Sequence, residues 1–384
     1  MRNSILIIPI LLLFSSCIEM PENTYKPDLK ISPDFDWKTI EAKKISLTQI
    51  SSVLNEKGDT VASFLPPGDY DINVGKSTKL TVVPSLVLQT KAGEGSIKQR
   101  VYFPAQGKYA TVMFEDLFPA KGDMDMNDIV FGLNIEFELD NQARVSVINF
   151  NIQPRGVGSS YESIGLAADL YPLGINGPDI ADLVKKITHT SENKLSNLFN
   201  VDYGPKWYSE ELDNNRCQVI PLTANFRSYF PGASELFVNV RNIDPAIATT
   251  SFTVSVELKS VSYPYSMFSL LETPKDGKIS IDIFAVVESR DKEIHFKGQL
   301  PTDKFSTAYF AYTRPMSDFS TIDNWVWAII SDQSIRYPQE FVKIYNAYPN
   351  FKVWAESSGS TGVGWYSPSV IDSLYTKTNY DYIN

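Results

Sequence analysis

The stretch Phe114–Asp128, FEDLFPAKGDMDMND, sets five carboxylates and one carboxamide within fifteen positions, beside one lysine and one glycine. These are hard oxygen donors of the kind that surround Ca2+, which takes six to eight oxygens from carboxylates, carboxamides, backbone carbonyls and water. Asp123, Asp125 and Asn127 alternate, so an extended backbone turns all three to one side and sends Met124 and Met126 to the other. Asp128 follows at once and leads into an apolar run. Glu115 and Asp116 close the run before it, and Pro119 and Gly122 suit a return that carries them back beside the aspartates. The expected ligand set is Glu115, Asp116, Asp123, Asp125, Asn127 and Asp128.

Charge is the reason to expect a cation there. Carboxylates held together repel and raise each other's pKa unless something positive sits among them. Lys121 is one candidate, but a single ammonium cannot offset five carboxylates; a divalent ion can. The spacing begins as an EF-hand loop does, D-x-D-x-N, then departs: Asp128 stands where the glycine is needed and no glutamate closes the loop. Three alternatives stay open. The acids could cap turn amides without metal, could be a solvated surface loop, or could include a catalytic carboxylate pair as in glycosidases, although nothing selects a pair.

The elements that must position this loop read as strands. KLTVVPSLVLQT, IVFGLNIEFEL, ARVSVINFNI, ELFVNVRNI, TSFTVSVELKSV and KISIDIFAVV mix β-branched and aromatic residues with partial alternation, and PPGD, LDNQA, YFPGA and PKDGK punctuate them. Helices are few. PDIADLVKKIT places Ile180, Leu183, Val184 and Ile187 at helical spacing, and PQEFVKIYNAY does the same with Phe341, Ile344, Tyr345 and Tyr348 after Pro338. The expected fold is mainly β: antiparallel, β-sandwich-like units with two or three short helices.

The cell address is written at the N-terminus. MRNSILIIPILLLFSS has a basic start and an apolar run too short to cross a bilayer, for which about 20 residues are needed. It ends LFSSC, small residues before Cys17, which resembles the lipobox of bacterial lipoproteins. A diacylglycerol plus an amide-linked acyl chain on Cys17 supplies the two apolar signals that stable attachment requires. Ile18 lacks the aspartate that resembles an inner-membrane retention signal, and Glu19 and Glu22 resemble an outward signal. An outer-membrane lipoprotein is expected, on the periplasmic or surface-exposed face. Residues 1–16 read as signal peptide, 17–40 as lipidated tether, 41–270 as a β-rich region holding the acidic loop, and 271–384 as a C-terminal β-rich region with a short helix.

Composition excludes other classes. The 384 residues carry a formal charge of −10, which argues against nucleic acid as partner. The two cysteines, Cys17 and Cys217, offer no disulfide framework and no zinc ribbon; Cys217 is expected as a small buried residue. His189 lies in a polar run and is expected solvated; His295 alternates with Ile294 and Phe296 and is expected to bond locally. No G-x-S-x-G elbow occurs, and GVGSS lacks the ending of a phosphate loop. Trp325, Trp327, Trp354, Trp365 and Tyr366 are expected in a core, the other reading being a sugar-stacking surface.

ATVMFEDLFPAKGDMDMNDIVF resembles the signature of the LruC domain family: an aromatic-Glu-Asp-Leu segment, then Gly-Asp-x-Asp-x-Asn-Asp, then a strand. QPRGVGSSYESIGLAADL, SRDKEIHFKGQLPTDK and WVWAIISDQSIRYPQEFVKIYNAYPNFKVWAESSGS with GWY are similar to later stretches of the same proteins, although Ser163 and Ile164 depart from the more usual Asn-Gly. The resemblance implies a β-rich envelope lipoprotein of Gram-negative bacteria with no enzymatic activity to carry over. The resulting expectation is a non-enzymatic module with a Ca2+-binding loop, a lipid anchor in the membrane, and a surface glycan or matrix protein as partner. A carbohydrate-active enzyme and a purely structural envelope component are the alternatives.

Overall fold

The structure is a computed structural model that describes residues 28–85, 98–172, 183–190, 198–199, 210–212, 215–259, 263–272, 277–313 and 318–383. Cys17 and the signal stretch lie outside them. Two sheets face each other across one apolar core. In the larger sheet the long strands Ile129–Leu139 and Val145–Gly156 pair antiparallel at its centre, and Phe252–Leu258 and then Val184–His189 continue beyond the second. The first half of Ile129–Leu139 pairs with Ala110–Phe114, its second half with Gln99–Phe103. Ala328–Ser331 adds to the far side of Ala110–Phe114. The smaller sheet runs Glu210–Leu212, Asn215–Thr223, Ile164–Pro172, Ile279–Val287, Phe268–Leu270. Only its last pairing is parallel among the described strand pairs.

The mainly β, antiparallel, sandwich-like class expected from alternation is what the chain adopts, with two α-helices, Ile344–Ala347 and Pro349–Glu356, among the described residues. Phe252–Leu258 alternates buried and half-buried residues, as a strand with one face on the core must. Ile279–Val287 instead buries all nine. Ile279, Ile281, Ile283 and Ala285 face the shared core, while Phe284 and Val286 meet a second apolar layer with Tyr171 and Phe199. Strands from both sides of residue 270 therefore share sheets.

The C-terminal residues build a third layer on the outside of the larger sheet. Trp325, Trp354 and Trp365 close there with Phe35, Trp37, Phe351 and Val130. Trp327 enters the main core, and all four C-terminal tryptophans are at most 2 % exposed. Core packing accounts for them, and the sugar-stacking alternative does not.

Several local expectations are corrected. PDIADLVKKIT does not continue as a helix: Val184–His189 is a strand, and residues 173–182 lie outside the description. A bulge between Val184 and Lys186 inserts a residue, so a three-residue apolar spacing stays on one strand face and imitates helical periodicity. PQEFVKIYNAY turns helical only at Ile344. ELFVNVRNI forms no strand; Val238 makes a single bridge to Val157. Asn239 there has positive φ and its amide bonds both backbone groups of Ile247, so a side chain takes the place of a strand partner. KLTVVPSLVLQT keeps only Thr81–Pro84 as a strand among the described residues. His189 is half-buried rather than solvated, stacking on Phe252 at 5.1 Å with Nε2 2.9 Å from the Leu222 carbonyl. The Cys217 side chain lies outside the description.

Candidate metal centre

The acidic loop joins the neighbouring strands Ala110–Phe114 and Ile129–Leu139, and it is sandwiched between the main core and the C-terminal layer. Met124 and Met126, both at positive φ, point into that layer. Asp123 and Asp125, their neighbours in the chain, instead meet Glu115. Glu115 N donates to Trp327 O at 2.9 Å and Trp327 Nε1 donates to Ala120 O at 2.6 Å, which folds the return.

The fold brings all six expected residues into one place and buries five of them. Glu115, Asp116, Asp125, Asn127 and Asp128 are at most 9 % exposed, and Asp123 is half-buried. Glu115, Asp123 and Asp125 each offer a carboxylate oxygen within 4.8 Å of the others. Gly122, at φ +73°, is where the chain passes closest: a Cβ there would lie 2.3 Å from Glu115 Oε2. Part of the acid capacity caps the turn. Glu115 Oε1 accepts Met126 N at 2.8 Å, Asp128 Oδ2 accepts Asp116 N at 2.8 Å, and Asp125 accepts Asn127 N, Asn127 Nδ2 and Phe341 N. Capping and cation binding thus use the same side chains, on different lone pairs. The solvated-loop alternative fails, because burial removes the water it needs.

Sequence reading missed one member. Glu340, half-buried on the segment before the first helix, brings a sixth carboxylate beside Asn127. Nothing local marks it; it arrives because Phe341 N bonds Asp125 Oδ2 at 2.8 Å and Ile344 N bonds Met124 O at 2.8 Å.

The electrostatics follow from burial and crowding. Asp125 is pushed up to about 8 by burial, then by Asp123 and Glu340. Glu340 rises to about 8 through burial and then Asp128 and Asp123. Burial and like charges hold Glu115 and Asp128 well above the carboxylate range and raise Asp116, while burial alone raises Asp123 against its own hydrogen bonds. Among the described residues none of the six acids is in an ion pair. Lys121, the lysine within the loop, pairs with Asp323, 2.6 Å from its Oδ2, while Lys292 draws on Asp116 only at longer range. Lys343 pairs with Asp28 and Arg241 with Asp244. Two further oxygens, Asn127 Oδ1 and Glu340 Oε2, are buried without any hydrogen-bond partner.

The donor set has the chemistry of a hard divalent cation site. It holds carboxylates and a carboxamide, with no thiolate or imidazole, which suits Ca2+ over Zn2+. The second polar centre is of a different kind. His295, fully buried, lies with Nδ1 2.5 Å from Asp282 Oδ2 and Nε2 2.9 Å from Glu293 Oε2, its ring stacked on Phe284. Enclosed by strands, it has the character of a structural ion triad.

Comparison with other proteins comes to three findings. No curated protein sequence matches the chain. A solved structure from Bacteroides ovatus, described as that of a candidate lipoprotein, shares the fold with a TM-score of 0.52 at 15 % identity, over 89 % of this chain and 94 % of that one. A family profile, the domain of unknown function DUF4842, matches residues 143–366. That span begins at the second central strand, after the acidic loop, runs through Trp365 and takes in more than half of the sequence, so the chain belongs to the DUF4842 family.

Proposed function

We propose that this protein is a non-enzymatic cell-envelope lipoprotein, held in the outer membrane by lipid on Cys17, whose acidic loop takes up Ca2+. Glu115, Asp123 and Asp125 would hold the ion, with Asp116, Asn127 and Asp128 behind them. When bound, the ion supplies the positive charge that lets these carboxylates share a dry site. One observation carries the reading: six acids meet at the junction of two apolar layers with no ion-pair partner among the described residues. The LruC-like signature covers the same loop, and the lipobox-like LFSSC sequence supports the anchor.

The non-enzymatic reading draws on the placement of the acids between two apolar layers, where Glu115, Asp125 and Asp128 also cap turn amides. Limited proteolysis tests the loop directly. Millimolar calcium is expected to protect residues 115–128, and equal cleavage in calcium and in chelator would count against the reading.

Contact with a surface glycan or matrix protein is the role we favour. A cleft of about 330 Å³ is lined by Asn55, Tyr109, Gln153, Gln333 and Tyr380 among others, and aromatic faces beside amides suit sugar rings. A glycan array probed with residues 18–384 is expected to give a signal that Tyr109→Ala weakens; no signal at all would sink that role and leave the calcium site standing.

A further inference from the structure

We propose that the acidic centre has a second cation position, on the Asn127–Glu340 side of the loop. The inference rests on the reading of this centre as a calcium site and adds a position to it. The orientation of Asn127 is the starting point. Its Nδ2 donates to Asp125 Oδ2 at 2.8 Å and to Pro338 O at 3.3 Å. Both partners are acceptors only, so the amide cannot be turned over without losing both bonds. Oδ1 is therefore held facing the opposite way, fully buried and with no donor.

Glu340 Oε2 shares that space and also has no donor. A Cβ built on Gly158 would lie 2.0 Å from Asn127 Oδ1 and 2.6 Å from Glu340 Oε2, so both oxygens close on the gap left by the missing side chain. Gly158 N cannot serve them, because it donates to the carbonyls of Asn127 and Asp128. Two buried acceptors facing one gap need a proton or a cation between them, and once Glu340 is ionised only a cation can serve both. Asp128 and Asp116 add negative charge from nearby, while the closest basic influence, Arg241, is paired with Asp244.

This gap is distinct from the first position. Glu340 and Asn127 do not belong to the triplet Glu115, Asp123 and Asp125, whose oxygens lie within 4.8 Å of one another. Asp125 stands between, its two oxygens already receiving three N–H groups. An ion at the second position adds to the bonds that already join the loop to the segment 338–341, Phe341 N on Asp125 Oδ2 at 2.8 Å and Asn127 Nδ2 on Pro338 O at 3.3 Å. The cation then fastens the C-terminal layer to the sandwich.

Calcium stoichiometry tests this, measured by equilibrium dialysis of the full-length protein in detergent against millimolar Ca2+, followed by metal analysis. The wild type is expected to bind two ions per chain, and Glu340→Gln and Gly158→Ala one each. Glu340→Gln keeps the side-chain size and relieves repulsion, so it folds; Gly158→Ala fills the gap without removing a charge. One ion in the wild type, whether kept or lost in the variants, overturns the second position and spares the calcium reading. Two ions in all three proteins overturns the assignment to Asn127 and Glu340. No bound calcium in any overturns both.

Discussion

Chelating calcium at neutral pH is expected to lower the melting temperature by several degrees. A ligand that binds only the native state at about 100 times its dissociation constant adds roughly 2.7 kcal/mol. At roughly 2 °C per kcal/mol for a large domain, that is about 5 °C. The pH dependence sharpens the expectation. In the chelated protein, Asp125 and Glu340 are raised to about 8 and Glu115 and Asp128 also lie high, burial being the first cause in each. A carboxyl raised in the folded state stabilises while it is protonated. Its contribution is full below the unfolded value, near pH 4, and is lost as pH rises through about 8. The cation needs the ionised form, so its contribution runs the other way. The gap between melting curves in calcium and in chelator should therefore widen from pH 5 to pH 8. Curves that superimpose across that window would remove the electrostatic basis of the account.

The second large effect lies away from the loop. His295→Ala should cost about 3–5 kcal/mol, because it leaves Asp282 and Glu293 buried without their shared cation. Both imidazole nitrogens face carboxylates, so the ring is an imidazolium. Burial opposes its charge, but Asp282 and Glu293 overcome this and push it up to about 9. Of the two acids, Glu293 is held low despite its burial, since His295, Arg290 and Thr302 all serve it. Asp282 stays raised, with burial the larger influence. A histidine raised in this way contributes fully below its unfolded value, near 6.5, and loses that contribution as pH rises through about 9. The stability difference between wild type and His295→Gln, read from urea unfolding, should shrink between pH 7 and pH 10. A difference that stays flat over that range would mean the ring is neutral when folded.

Much of the scaffold was legible because its strands obey the simplest rule. Ile129–Leu139 is the quoted run IVFGLNIEFEL, and Phe252–Leu258 falls inside TSFTVSVELKSV, since alternation and β-branching coincide there. The acidic loop was legible for the same reason: Met124 and Met126 bury on one side, and the acids converge on the other. What escaped depended on distant partners. Glu340 joins the cluster through bonds across more than two hundred residues, and no local pattern in PQEFVK announces it. Lys121 looked like the local counter-charge, yet Asp323 takes it, another long-range pairing. The strand Val184–His189 passed for a helix because a bulge alters the apolar spacing. Local periodicity reveals faces; it does not reveal which face meets which.

The claim on which the rest depends is that buried acids at the strand junction bind a divalent cation. Calorimetric titration of chelator-treated protein with Ca2+ tests it most directly. The account predicts saturable binding, weakened roughly tenfold or more by Glu115→Gln in a protein that still folds. Heats of dilution alone from the wild type, at every pH from 6 to 8, would contradict it.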